Sequence, residues 1–265
     1  MTLNLSYIIV TRNKLPYLRK ALANLLAVKK EDEEIVIVDG GSTDGTVEYL
    51  QEFVTRGDVD QFISGIDNGL GHAINKGMLM ARGTLMKTMS DDDVYYFDEM
   101  QKCKQFMLGH PEIDALGTNG TTWDGNEYHR EEDFLMWKQG YHPFMICELG
   151  LMLRRSSIPL FGLADTSFTT FWDAEFTIRL TAGKARLAWY TGKTWEHILN
   201  PDSLSLSQKD LWRTHSARLR QMYPIYSTWK HLVPKRVVKL IRTLIPKKHI
   251  ATKEQTDMSH PVFLH

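Results

Sequence analysis

Long apolar runs are missing from this chain. No stretch reaches the roughly 18 consecutive apolar residues that a membrane-spanning helix needs, so no span is expected. Cysteine is scarce: Cys103 and Cys147 are the only two. Two cannot build a disulfide framework, and a reducing compartment is the expected setting. No basic region precedes the strand-like run Leu3–Val10, so no signal peptide is expected either. No Gly-x-Gly-x-x-Gly follows a strand-like run, which argues against a dinucleotide-dependent dehydrogenase. Acid is absent from Leu211 to Lys253, where eleven Lys and Arg stand without one Asp or Glu although the whole chain has zero net charge. That asymmetry points to an anionic partner for the basic part.

What is present is enough for a full core. At 265 residues and 43% hydrophobic, one domain with a tail is the natural count. The first third alternates two periodicities. Leu5–Val10, Glu34–Val38, Gln61–Ser64 and Thr84–Met89 read as strands, the second nearly all apolar, as when both faces are covered. Leu15–Val28, Thr46–Val54 and Leu70–Ala81 read as helices. The alternation predicts a parallel, doubly wound α/β sheet, whose ligands sit at the carboxyl ends of the strands. Thr11–Lys14, Asp39–Asp44, Asp67–Gly69 and Ser90–Asp93 would then share one rim. Gly109–Gly162 is punctuated by Gly, Trp, His and Pro and reads as loops with edge strands. Phe171–Ala182 reads as a helix, Ala185–Tyr190 as a strand, and the last residues from Met258 as disordered.

Two rim segments carry chemistry. Ser90-Asp-Asp-Asp93 follows an apolar strand, and three adjacent carboxylates are tolerable when solvated or neutralised by a cation. Mg²⁺ or Mn²⁺, held by one or two carboxylates plus substrate phosphates, suits them; an acidic turn capping the next helix is the plainer alternative. Asp39-Gly-Gly-Ser-Thr-Asp-Gly45 lets a backbone approach a ligand closely and offers free amides. A capped strand-to-helix turn explains its glycines equally well, but not Asp39, which could accept a hydrogen bond from a nucleobase imide.

Tyr7-Ile-Ile-Val-Thr-Arg-Asn13, Ile35-Val-Ile-Val-Asp-Gly-Gly-Ser-Thr-Asp-Gly-Thr46, Asp67-Asn-Gly69, Ala73-Ile-Asn-Lys-Gly77, Ala81-Arg-Gly83 and Ser90-Asp-Asp-Asp93 occur in that order. Together they resemble the inverting, GT-A-fold glycosyltransferases of family 2, through the first 95 residues and more weakly from His142 to Ser205. The resemblance implies a Rossmann-like, mostly parallel sheet flanked by helices. It implies nucleotide binding by Thr11, Asn13, Asp39, Gly41, Ser42, Asn75 and Asp91, with a UDP-sugar as the usual donor. It implies a metal, Mn²⁺ or Mg²⁺, on Asp92, with Asp93 and His197 as further candidates. Trp172-Asp-Ala-Glu175 resembles the helix that carries the general base, where the family usually reads Glu-Asp; the aspartate is Asp173. Asp173 and Glu175 are two apart on a helix and point to different faces, and the alignment favours Asp173.

The resemblance divides the first part of the chain into a nucleotide-sugar half (1–95) and an acceptor half (96–210), and the charge pattern marks off a basic helical extension (211–250) and a tail (251–265) expected to be disordered. In the extension, Val237, Val238, Leu240, Ile241, Leu244 and Ile245 fall within about 160° of a helical wheel. Lys235, Arg236, Lys239 and Arg242 fall opposite. This basic amphipathic pattern suits an anionic membrane surface; a helix docked on the domain is the alternative. No nucleic-acid module accompanies the charge. The expected protein is cytoplasmic or peripheral at the inner membrane face. It would transfer one sugar from a nucleotide-sugar donor to a glycan or lipid-linked acceptor, without processivity. A sugar nucleotidyltransferase and a non-catalytic nucleotide-sugar-binding protein share parts of this pattern.

Overall fold

The structure is a computed structural model and describes residues 2–123, 128–132, 146–169, 171–200, 209–223 and 262–264. The stretch 233–246 and most of the middle segment 124–145 lie outside the described residues. Strands β1 (Leu5–Thr11), β2 (Glu33–Asp39), β3 (Gln61–Ser64) and β4 (Leu85–Met89) are linked by helices α1 (Leu15–Leu26), α2 (Thr46–Arg56) and α3 (Leu70–Met80). All seven residues of β1 and of β2 are buried, which follows from helices on both sheet faces. Tyr7 and Ile9 pack with Leu18, Leu22, Leu50 and Met100 on one face. Ile8 and Val10, alternating with them, pack with Ala73, Ile74, Met78, Trp172 and Phe176 on the other. The strand period of two thus feeds two helical layers.

β3, β2, β1 and β4 pair in parallel in that order. Beyond β4 the sheet continues through β8 (Met152–Arg154), β6 (Ala115–Trp123), β9 (Leu187–Ile198) and β10 (Val262–Leu264). β8 runs antiparallel to both neighbours, and β6 and β9 pair in parallel. Two short strands lie off this path: β5 (Val94–Tyr95) on β9 and β7 (Tyr128–Glu132) on β6. Helix α4 (Phe97–Gly109) follows β5, the one-turn α5 (Ile158–Phe161) follows β8, and α6 (Trp172–Ala182) and α7 (Lys209–Met222) complete the described helices.

Three expectations are corrected here. The middle segment holds, besides the peripheral β7, two strands interior to the sheet, β6 and β8. Glycines at 117 and 120 lie where a Cβ would meet the rings of Trp189 and Trp195, so what read as loop punctuation is packing of large rings against a strand. β9 runs on past Tyr190 to Ile198. The tail is not uniformly disordered, since Val262–Leu264 pairs antiparallel with Leu187–Trp189 of β9. Gly77 marks the tightest helix-to-sheet approach: a Cβ there would lie 2.2 Å from Cγ2 of Ile8.

Candidate active site

Parallel register places Thr11 beside Asp39, and Ile9 beside Met89, the last residue of β4. The loops leaving β1, β2 and β4 therefore meet on one rim. Asp39 is fully buried. Its Oδ2 accepts from the amides of Gly41 and Ser42, both at 3.0 Å, and from Ser64 Oγ at 2.6 Å. Gly41 has φ +79°, the left-handed conformation that turns these amides back onto the carboxylate. The other oxygen, Asp39 Oδ1, is buried with no hydrogen-bond partner among the described residues. A buried carboxylate oxygen without a donor is costly, and a ligand N–H is what it lacks. Asn13 and Ser42 lock the first two loops together: Asn13 N–H donates to Ser42 Oγ at 2.7 Å, and Asn13 Oδ1 accepts from the Thr43 amide at 2.8 Å. The amides of Gly41, Ser42 and Thr43 thus serve the rim itself.

Ser90–Asp93 fills the next position. Thr11 Oγ1 donates to Asp91 Oδ2 at 2.6 Å. Lys14 Nζ is hydrogen-bonded to Asp92 Oδ2 and stands 3.9 Å from Asp91. Asn200 Nδ2 also donates to Asp92 Oδ2, at 3.0 Å. Asp93 accepts from the Ser90 hydroxyl on one oxygen and from the Ile198 amide, at 2.8 Å, on the other. Burial, reinforced by the charge of Asp92, pushes the carboxyls of Asp91 and Asp93 up to about 7. Burial opposes the charge of Lys14, but its hydrogen bond to Asp92 and the three carboxylates outweigh this and raise its pKa.

All-oxygen donors suit a hard cation, and carboxyls held protonated chiefly by burial are ones a cation would help ionise. Among the described residues no cluster of three or more His, Cys, Asp or Glu could hold a metal ion. A hard cation held there by one or two carboxylates would take its remaining ligands from outside the chain, such as phosphates. Asp92 suits this better than Asp93, both of whose oxygens already accept from the protein. His197 is half-buried on β9, next to Ile198 whose amide reaches Asp93.

Asp173 lies in the first turn of α6 and is half-buried. Its Oδ1 accepts from the Ala174 amide at 2.8 Å and its Oδ2 from the Glu148 amide at 3.2 Å. Glu175 faces elsewhere, buried against Arg179, with contacts of 2.9 and 3.0 Å, and accepting from Tyr223 Oη at 3.0 Å. Asn75 is drawn into a structural clamp instead of the rim: its amide exchanges two hydrogen bonds, both 2.9 Å, with the backbone of Ala164.

Glu148 escaped the sequence reading, and only its place in the fold reveals it. It opens a 3-10 turn, Glu148–Gly150, and its Oε2 accepts from the Trp172 indole at 2.6 Å. Burial first, then the charge of Asp173 and further that of Asp93, pushes its carboxyl up to about 8, against the indole hydrogen bond and the charge of Lys87. The Glu148 amide reaches Asp173 while its carbonyl accepts from Lys87 and Thr88 of β4, the strand that runs into Ser90–Asp93, so one turn joins the two acidic groups.

Residues 6–162, more than half of the chain, match the family described as Glycosyl transferase family 2. The protein is a family 2 glycosyltransferase. This glycosyltransferase is 27% identical over 193 residues to the PGL/p-HBAD biosynthesis glycosyltransferase of Mycobacterium bovis BCG, covering 70% of this chain and 72% of that one. It is likewise 27% identical, over 163 residues, to an uncharacterized glycosyltransferase of Haemophilus influenzae, covering 59% and 64% of the two chains. Among solved structures it resembles the mannosyltransferase PcManGT of Pyrobaculum calidifontis, in complex with GDP-Man and Mn²⁺ (TM-score 0.65, 16% identity, 83% and 65% covered). It also resembles S. aureus TarS 1–349 in complex with UDP-GlcNAc (TM-score 0.61, 15% identity, 82% and 66% covered). The chain spans 40% of the longer TarS chain. The glycosyltransferase has the GT-A fold.

Proposed function

We propose that this glycosyltransferase moves one sugar from a nucleotide diphosphate sugar, by preference a UDP-sugar, to a hydroxyl of a glycan or lipid-linked acceptor, inverting the anomeric carbon and releasing the product after one transfer. The observation that supports the reading is the turn joining the two acidic groups: the Glu148 amide donates to Asp173, and the Glu148 carbonyl accepts from β4, which presents Ser90–Asp93. Relatives named for a glycosyltransferase and structural neighbours holding UDP-GlcNAc or GDP-Man support a nucleotide-sugar donor.

In this reading Asp39 Oδ1 receives the imide N–H of the base, while Asn13, Gly41 and Ser42 keep that carboxylate in place. Thr11 and Asp91 border the nucleoside. A divalent cation held by Asp92, with Asp93 and His197 as further candidates, would neutralise charge on the diphosphate when bound. Lys14 adds a resident positive charge at the same point. Asp173 takes the acceptor hydroxyl proton as that oxygen attacks the anomeric carbon. The bond from that carbon to the diphosphate oxygen breaks on the opposite face, and its electron pair leaves with the diphosphate.

Release of UDP from UDP-GlcNAc and of GDP from GDP-mannose, with Mn²⁺ and water as the acceptor, tests the assignment. Asp173→Asn should lower the rate by about 10² to 10⁴ while donor affinity stays put, and Glu175→Gln should leave the rate alone. A surviving rate in the first variant and a lost one in the second would move the base to Glu175. The same reading puts the enzyme on the cytoplasmic side, with residues 233–246 against an anionic lipid face. Sedimentation with vesicles of graded anionic lipid content tests that placement, and salt-insensitive absence of pelleting rejects it.

A further inference from the structure

Between β4 and α6 lies a segment that the assigned chemistry does not use. Along residues 146–148 the backbone amides run beside the first turns of α6. Ile146 N–H donates to Thr177 Oγ1 at 3.1 Å, and Glu148 N–H donates to Asp173 Oδ2 at 3.2 Å. Thr177 Oγ1 in turn donates to the carbonyl of Asp173 at 2.8 Å, and the Trp172 indole donates to Glu148 Oε2 at 2.6 Å. The segment is thus tied to Asp173 and to the residues on either side of it.

The opposite side of the segment is tied to β4. Lys87, 2% exposed, donates from Nζ to the carbonyls of Leu149 at 2.6 Å and Glu148 at 3.3 Å, and to that of Thr88 at 3.0 Å. Thr88 Oγ1 donates to the Glu148 carbonyl at 3.3 Å. Burying an ammonium among carbonyl oxygens is expensive, and these carbonyls are its compensation. β4 runs directly into Ser90–Asp93. The turn Glu148–Gly150 therefore bridges the strand that presents the acidic cluster and the helix that presents Asp173.

We propose that Glu148 is a positioning residue for Asp173: its backbone amide fixes one carboxylate oxygen, and its side chain, held by the Trp172 indole, keeps the turn seated on α6. The proposal rests on the reading of Asp173 as the base. The amide leaves the other oxygen, Oδ1, to the helix N-terminus, so the carboxylate is held at both ends and cannot rotate freely. Such preorganisation matters most to a general base, whose efficiency depends on placement.

Two substitutions separate the amide from the side chain. Glu148→Ala removes the carboxyl and keeps the N–H. Glu148→Pro removes both, at a position prepared for proline: Cys147 has φ −60° and ψ 140°, the conformation favoured before proline, and the first residue of a 3-10 turn has a suitable φ. With aspartate ¹³C-labelled at its carboxyl carbon, NMR should find Asp173 titrating about one pH unit higher in the proline variant than in the alanine variant, since a lost donor disfavours the charged form. Turnover of UDP-GlcNAc or GDP-mannose with Mn²⁺ should fall about tenfold from the alanine to the proline variant in kcat, with KM for the donor within about twofold.

A further readout needs no proline. In Glu148→Ala the ¹⁵N–¹H signal of residue 148 should follow the Asp173 titration, and should stop following it when Asp173→Asn is added. Equal Asp173 titrations in the two variants, or an amide signal indifferent to Asp173, overturns the proposal. Asp173→Asn at wild-type turnover would instead remove the base reading, whatever the NMR result. A dead Asp173→Asn beside alanine and proline variants of equal kcat rejects the positioning role alone.

Discussion

From Leu5 to Tyr95 each candidate carboxylate stands at or just past a strand end, and residues of that same region hold Asp39 and Asp91. Asp39 ends β2 and takes its hydrogen bonds from Gly41, Ser42 and Ser64. From Phe97 to Asn200 the arrangement is different. Asp173 sits in a helix and depends on an amide 25 residues earlier, while Asp93 and Asp92 are met by Ile198 and Asn200 from 105 and 108 residues away. The first region builds its site with short loops on a parallel sheet; the second reaches in from strands and turns that only the finished fold brings together. Damage to the first should therefore appear as lost nucleotide or metal affinity with folding intact. Damage to the second should appear in the rate.

The largest effect expected from the first region is that of Asp92→Ala. Metal-dependent binding of UDP should vanish, together with transfer, because Asp92 is the carboxylate best placed to share an ion with phosphates. Isothermal titration with UDP, with and without Mn²⁺, measures this, and an unchanged metal dependence would take Asp92 out of the site. Asp39→Ala should weaken UDP binding by about 1 to 3 kcal/mol, the range for a hydrogen bond to a charged group and its orphaning. Its thermal midpoint should fall modestly, since the Gly41 and Ser42 amides and the Ser64 hydroxyl lose their acceptor while the sheet pairing stays. Wild-type affinity would mean that the base is read elsewhere.

The comparison sharpens when proton binding is added. Asp91 and Asp93 hold their protons to about 7 and Glu148 to about 8 in the fold, whereas unfolded carboxyls release them near 4. The folded state therefore binds more protons than the unfolded chain between about pH 4 and 8, and stability falls as pH rises through that window. Thermal midpoints with a chelator should drop from pH 5 to pH 8. Mn²⁺ with UDP should restore most at the alkaline end, and Glu148→Gln should flatten the curve there. A midpoint that rises over this range would contradict the burial of these groups. The effect furthest from the site is purely structural: Gly77→Ala forces a methyl group against Ile8 and should cost about 1 to 3 kcal/mol, a few degrees of melting temperature, with UDP affinity intact once folded. Unchanged stability would show that α3 can lift from β1.

What could be read without the structure follows the same division. β1 to β4 and their helices were legible because buried strands and amphipathic helices announce themselves by period, and the rim followed from the rule for strand ends. Asp39 and Asp91–Asp93 were visible for that reason. Asn75 was named from its motif beside the rim, and the structure adds what the motif could not show, an amide paired with the backbone of Ala164. β6 and β8 were taken for edge strands because Gly117 and Gly120, which make room for Trp189 and Trp195, look like turn residues in a one-dimensional reading. Glu148 had no local signal at all; its role exists only across the contacts to Trp172, Asp173 and Lys87.

The short strand β10 changes what the basic stretch is. The chain leaves α7 at Met222 and is back on the sheet at Val262, paired with Leu187–Trp189. The chain on either side of residues 233–246 is therefore joined to the same sheet-and-helix body. Cutting the chain at Val233 would strip β10 away and leave the β9 edge open to other strands. Excising residues 233–250 while keeping Val262–Leu264 removes the charge and spares the sheet.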